Sequence, residues 1–134
     1  MPWLVVAYLT LFVVFLVTNL LALLKCRAEA WFVAYEFFSG VFLLAMAAAY
    51  WAPAFGAHFG VASVAALAAV LAFDFVFTVW FDPRQVGVPI PELSGGEMEA
   101  AKAVSILFVA PAYIMCVLLA AQVVKGLIRC SASA

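Results

Sequence analysis

The chain has 134 residues, of which 71% are hydrophobic and only 10% are charged, and its mean hydropathy is +1.28. A soluble domain is about half apolar and about a quarter charged, so we expect an integral membrane protein with no separate extramembrane domain. The net charge of −1 argues against nucleic acid as a partner.

Four apolar runs predict four membrane-spanning helices, since each is close to the roughly 20 residues that a helix needs to cross a bilayer. They cover residues 3–24, 31–51, 60–81 and 101–124, and all four tryptophans fall at their ends. Tryptophan is typical of the membrane–water interface, which supports these boundaries. The predicted fold is therefore all-α: a four-helix transmembrane bundle with both termini on the same side, formed by residues 1–134 as a single integral membrane domain.

The first predicted span has no basic segment in front of it, and its apolar run is about twice as long as the core of a signal peptide. We therefore expect it to be retained as a membrane helix. It contains one amide side chain, Asn19, which lies five residues before Leu24 at the end of the run.

The second and third spans each contain one carboxylic acid, Glu36 and Asp74. An acidic residue at the centre of a membrane helix costs roughly 2.5 to 3.5 kcal/mol, so these two side chains are the first candidates for a functional site. Glu36 follows Trp31 by five residues, and Asp74 precedes Trp80 by six. At about 1.5 Å per residue, both acids lie about 8–9 Å below the same membrane surface.

The later part of the chain adds local predictions about packing and helix ends. Small residues are frequent between positions 62 and 72 of the third span, which predicts close helix packing on the side of the membrane away from the acids. Ser94 and Glu97 have the spacing of a capping box, so the fourth helix is expected to start near Gly95. Pro111 removes one backbone hydrogen bond within that helix and is expected to bend it.

Neutral polar side chains lie at the same depth as the two acids. Asn19 is at the matching level of the first span, and Ser105 is at the matching level of the fourth. Ser39 and Thr78 follow the acids by three and four residues, on the same helix faces. Carboxylates in membrane helices almost always face the protein interior or a watery cavity. The sequence therefore predicts one ligand- or ion-binding pocket formed by Glu36, Asp74, Asn19, Ser39, Thr78 and Ser105.

Three outcomes are open for the two acids. They are protonated and hydrogen-bonded within the protein, or they pair with basic residues that reach in from the loops, or they bind a proton, a cation or an amine-bearing ligand. The basic candidates are Lys25, Arg27, Arg84 and Lys102.

Three functions follow from these outcomes. The first is a transport or binding component whose pocket takes a proton, a cation or a small amine or lipid-like ligand. The second is a non-catalytic accessory subunit of a larger membrane complex. The third is a membrane enzyme that modifies a lipid or isoprenoid, with the acids as an acid/base pair; it has the least support, because two carboxyl groups specify no reaction.

Several sequence features point to no cofactor or metal. The three cysteines are far apart, with no spacing typical of a metal site or a disulfide framework, and Cys116 is expected to be a buried apolar filler. His58 is the only histidine. The run from Leu93 to Glu97 is similar to the signature motif of ABC transporter ATPases, but the chain has no P-loop to accompany it.

The order of the polar residues resembles the layout of the emopamil-binding and sigma-2-receptor-like family. The resemblance rests on an acid in the second span (Glu36), an acid in the third (Asp74) and a proline in the fourth (Pro111). It implies a four-helix membrane bundle whose acids bind amine ligands or act in sterol isomerisation. That family has a longer first connection with residues that this chain lacks, so membership is not inferred.

The distribution of positive charge predicts an orientation. Four of the six Lys and Arg residues lie on the side of the loops at 25–30 and 82–100, and two follow the last span. The positive-inside rule places the first side in the cytoplasm, and a bacterial inner (plasma) membrane is the expected location. The expected partners are membrane lipids, together with a second copy in a homodimer or the other subunits of a larger membrane complex.

Overall fold

The computed structural model of the protein describes residues 2–56, 58–80, 83–87 and 95–132, and this part of the chain is all-helical, as predicted. The described residues form four long helices, with one short helix and one 3-10 turn between them. In chain order these elements are α1 (Trp3–Lys25), α2 (Ala30–Trp51), α3 (Pro53–Gly56), α4 (Val61–Trp80), the 3-10 turn (Pro83–Val86) and α5 (Gly95–Ala132).

Three helical segments are long and apolar enough to cross a membrane: α1, α2 and residues Ile106–Gly126 of α5. The described apolar segment of α4, Val61–Phe77, is shorter. The protein is therefore an integral membrane protein by the length and composition of its helices. Helix α5 begins at Gly95, where the sequence predicts a start, whereas Ser94 of the predicted capping box lies outside the described residues.

The end of α2 follows from its sequence. Ala52 precedes Pro53, and the ring of a proline disfavours the helical conformation in the residue before it. Ala52 has φ −123° and ψ 87°, which is not helical, and α2 accordingly ends at Trp51. The short helix α3 begins at Pro53. A proline is tolerated there because the first N–H groups of a helix have no acceptor within the helix.

The tightest packing lies between the second half of α2 and α5. Met46 and Ala47 of α2 and Cys116 of α5 are fully buried, and Leu119 of α5 belongs to the same cluster. Small side chains allow two helix backbones to approach closely in lipid, where van der Waals contact is a main source of helix association. Cys116 is the buried filler that the sequence predicts.

Helix α4 packs differently from the prediction. The expectation that its alanines form a close contact is wrong, because Ala62, Ala65, Ala66, Ala68, Ala69 and Ala72 are all exposed. Its inward face is formed by Val64, Leu67 and Leu71, and Asp74 continues the same stripe. These residues recur at intervals of three and four, so they share one side of the helix and leave the alanines on the other.

Pro111 lies inside α5, and a tyrosine from α1 binds the backbone beside it. Proline has no N–H, so the carbonyl of Leu107 loses its usual helical donor. One residue further on, the Tyr8 hydroxyl accepts a hydrogen bond from the Ala112 N–H and donates one to the Phe108 carbonyl, each at 3.0 Å. In an uninterrupted α-helix those two backbone groups bond to each other. Tyr8 thus ties α1 to α5 at the proline.

We expect Tyr8→Phe to lower the free energy of unfolding by about 1 kcal/mol, because the Phe108 and Ala112 backbone groups lose the hydroxyl that bridges them. Reversible unfolding in mixed detergent–lipid micelles measures the change. Tyr50→Phe is the matched control, since the Tyr50 hydroxyl has no hydrogen bond to any described residue. Equal stability of the two variants would contradict a supporting role for the Tyr8 hydroxyl.

Candidate functional site

A cavity of about 670 Å³ lies among the four long helices, each of which contributes part of its lining. Four of the six predicted site residues line it: Asn19 of α1, Glu36 and Ser39 of α2, and Asp74 of α4. Thr78 and Ser105 lie in α4 and α5, but their side chains are outside the described part of the structure. The structure therefore brings both acids and two of the neutral residues to one cavity.

Helical periodicity explains why these side chains share the cavity. On α2, Glu36, Ser39, Gly40 and Leu43 line it, at intervals of three and four residues. The Leu16 side chain of α1 lies close to Gly40, because a Cβ atom at that position would be 2.4 Å from it. The absence of a side chain at Gly40 lets α1 pack against the face of α2 that carries Glu36.

Asp74 is held by two tyrosines from different helices. Tyr35 of α2 donates a hydrogen bond to its Oδ1 at 2.5 Å, and Tyr113 of α5 donates one to its Oδ2. One donor on each oxygen matches the acceptor-only character of a carboxylate. The Tyr35 hydroxyl also lies 3.3 Å from the Val70 carbonyl, a second acceptor for its single proton. Asp74 thereby joins α2, α4 and α5 through one side chain.

Glu36 has fewer partners than Asp74. Its Oε2 accepts one hydrogen bond, from the Asn19 side-chain amide at 3.3 Å. Its Oε1 has no donor among the residues that the structure describes. The Ser39 hydroxyl lies 3.4 Å from the main-chain carbonyl of Glu36 and so is directed to the backbone. Glu36 therefore retains acceptor capacity that no neighbouring described side chain uses.

The rest of the cavity lining is mainly apolar and includes several aromatic rings. Phe12 and Phe15 of α1 and Phe75 of α4 are among the lining residues, and no Lys, Arg or His occurs in the lining within the described ranges. Lys25 and Arg27 form no ion pair with either acid in this part of the structure. The side chains of Arg84 and Lys102 lie outside it. The described cavity thus combines an apolar body with one under-satisfied acid.

Sequence reasoning missed Tyr35 and Tyr113, which complete the Asp74 site. A signal was present, since a tyrosine within a membrane helix needs a hydrogen-bond partner for its hydroxyl. Tyr35 directly precedes Glu36, and Tyr113 lies two residues after Pro111. Tyr35 therefore has nearly the depth of Glu36, whereas Tyr113 lies eight residues beyond Ser105, the residue expected at the level of the acids. Depth alone did not indicate Tyr113, because its position against Asp74 depends on how the helices pack.

Comparisons of the chain with protein-family models, curated proteins and solved structures find no match. The resemblance in layout to the emopamil-binding family therefore gains no support. Within the described residues, no group of three or more His, Cys, Asp or Glu side chains is placed to hold a metal ion. The evidence for a ligand therefore comes from the shape and the chemistry of the cavity.

Proposed function

We propose that the cavity binds a small amphiphilic amine in its cationic form, and that the protein acts as a binding or transport component of the membrane. The observation that carries this proposal is the position of Glu36, which lines a largely apolar cavity with one carboxylate oxygen free of described donors. An unpaired charge in apolar surroundings is costly, and a cation on the ligand offsets that cost.

The size of the cavity favours an organic ligand over a bare proton or a metal ion. Pockets for small molecules commonly measure about 300–1,000 Å³, are mainly apolar and carry a few polar groups that fix orientation. The cavity of about 670 Å³ fits this description. Its phenyl rings suit the apolar body of a ligand, and ring faces also attract a nearby ammonium group.

The two acids have different parts in this proposal. Both oxygens of Asp74 already accept hydrogen bonds from Tyr35 and Tyr113, so Asp74 supports the cavity wall. Glu36 has one oxygen left, so it is the group that receives the ammonium N–H. A charge-assisted hydrogen bond of this kind is roughly twice as strong as a neutral one.

We further propose that the four long helices form a transmembrane bundle with both termini on the same side. In support of this, α2 packs on α1 and on α5, α4 packs on α5, and all four helices line one cavity. The excess of Lys and Arg near 25–30 and 82–100 favours a cytoplasmic location for these loops, in a membrane such as the bacterial inner membrane.

A pair of probes tests the proposed function. Tritiated (4-phenylbutyl)dimethylamine and its uncharged carbon analogue, (5-methylhexyl)benzene, have the same shape and differ in the ionisable nitrogen. Binding is measured to the protein in nanodiscs, with empty nanodiscs as the control for partitioning into lipid. We expect the amine to bind at least about tenfold more tightly, which corresponds to about 1.4 kcal/mol. Equal affinities for both probes, or no saturable binding of the amine, would overturn the proposal.

A further inference from the structure

A second cavity lies where the connection after α1 meets the first half of α2, and it measures about 500 Å³. It is distinct from the cavity that Glu36 and Asp74 line, because the two share no lining residue. One charged side chain, Arg27, lines it together with the apolar residues Leu24, Ala28, Val33, Phe37 and Phe38. We call it the Arg27 groove.

Arg27 has an unusual backbone conformation. Its φ is +55°, in the left-handed region that disfavours residues with a Cβ atom. The Ala28 N–H bonds to the Leu23 carbonyl at 3.0 Å and the Arg27 N–H to the Leu24 carbonyl at 3.2 Å, which together form a Schellman motif at the end of α1. Glycine is the usual residue at this place because it adopts a positive φ without strain. An arginine in this conformation costs about 1 kcal/mol relative to glycine. Backbone preference therefore does not explain why an arginine is present at this position.

No interaction within the protein accounts for the Arg27 side chain either. It is exposed, and it forms no ion pair with Glu29 or with any other side chain in the described ranges. Lys25 is also exposed and lies two residues away, but it does not line the groove. The one guanidinium in the groove is thus available to an anion from outside the protein.

The charged residue of the Arg27 groove precedes its aromatic residues along the chain. Arg27 and Ala28 line the groove from the connection before α2. They lie three to four residues before Trp31, whose place near the start of α2 is typical of the membrane interface. Phe37 and Phe38 follow Trp31 by one to two helical turns, and 46% and 69% of their surface is exposed. From Ala30 to Phe38 the helix rises by about 12 Å, which spans the headgroup region and the first part of an acyl chain.

We propose that the Arg27 groove binds one anionic phospholipid from the surrounding bilayer. The guanidinium of Arg27 holds the phosphate through paired N–H donors, a geometry for which arginine is better suited than lysine. One acyl chain lies along Val33, Phe37 and Phe38. Basic pockets beside membrane helices recognise lipid headgroups in this way, and the strained conformation of Arg27 is offset by the bound lipid.

Native mass spectrometry tests the proposal on protein released from phosphatidylcholine nanodiscs that contain a minor fraction of phosphatidylglycerol. We expect the native protein to retain one phosphatidylglycerol. Arg27→Asn removes the charge and keeps a residue that tolerates a positive φ, so the variant is expected to fold and to bind phosphatidylglycerol at least about tenfold more weakly. Its thermal stability in pure phosphatidylcholine should equal or exceed that of the native protein.

Lys25→Gln is the matched control, because it removes the same charge at the last residue of α1, two positions from Arg27 and outside the groove. It is expected to retain phosphatidylglycerol like the native protein. Equal loss in the two variants would mean diffuse attraction to the membrane surface and would overturn the site. Retention of the lipid by Arg27→Asn would also overturn it. Displacement of the lipid by soluble glycerol 3-phosphate would show that the phosphate group alone is sufficient for binding, and it would overturn the assignment of the groove to a phospholipid with a bound acyl chain.

Discussion

Glu36→Gln is expected to weaken the binding of (4-phenylbutyl)dimethylamine by roughly ten- to a hundredfold, the loss that follows when a hydrogen bond to a charged partner is replaced by a neutral one. Glutamine has nearly the same shape as glutamate, so the cavity keeps its volume. The amide oxygen of glutamine still accepts the hydrogen bond that the Asn19 side chain donates at 3.3 Å. The variant should therefore fold normally, and equilibrium binding in nanodiscs measures the difference.

Two controls make this result specific to the charge at Glu36. The uncharged analogue (5-methylhexyl)benzene should bind the native protein and the Glu36→Gln variant equally well. Glu29→Gln removes an identical charge from an exposed position outside the cavity, and it should leave amine binding unchanged. An unchanged affinity of the Glu36→Gln variant for the amine would remove Glu36 from the proposed site.

Asp74→Leu is expected to give the largest loss of stability, with the free energy of unfolding lower by roughly 1–3 kcal/mol. The reason is that leucine leaves the Tyr35 and Tyr113 hydroxyls without the acceptor that now joins α2, α4 and α5. A buried polar group that loses its partner incurs its full desolvation cost. Reversible unfolding in mixed detergent–lipid micelles measures the change.

Second substitutions separate this explanation from a simple packing defect. In the Asp74→Leu background, Tyr113→Phe should recover part of the lost stability, because it removes the hydroxyl that has no other described acceptor. Tyr35→Phe should recover less, since the Val70 carbonyl lies 3.3 Å from the Tyr35 hydroxyl and can accept its proton. A failure of both tyrosine changes to recover stability would show that Asp74 does not act through these hydrogen bonds.

These two predictions assign separate roles to a pair of acids that look alike in the sequence. Both are single carboxylic acids about 8–9 Å below the predicted interface, by the rise of an α-helix. Asp74 has a donor on each oxygen, whereas Glu36 has one donor on one oxygen among the described residues. The number of donors around each group, and not its residue type, is the basis on which we propose a supporting role for Asp74 and a binding role for Glu36.

The alanines of α4 show where composition alone misleads. Small residues permit close packing of helices but do not require it, and six alanines of α4 face outward. The packing instead follows the stripe of Val64, Leu67 and Leu71, because these larger side chains gain more dispersion contact when they are buried. Asp74 lies on the same stripe and faces the protein interior. The spacing of the larger apolar residues therefore predicts the direction of this acid better than the alanine content of α4 does.

Residue types and helix geometry alone were sufficient for the all-helical class and for three of the four predicted spans. They also predicted a similar depth for Asn19, Glu36 and Asp74, and all three line one cavity. Depth is readable because an α-helix rises by a constant amount per residue, about 1.5 Å, whatever surrounds it. The rotation and tilt of each helix depend instead on contacts between residues far apart in the chain. For that reason the pairing of Asp74 with Tyr35 and Tyr113, and the insertion of Tyr8 beside Pro111, appear only when the helices are packed together.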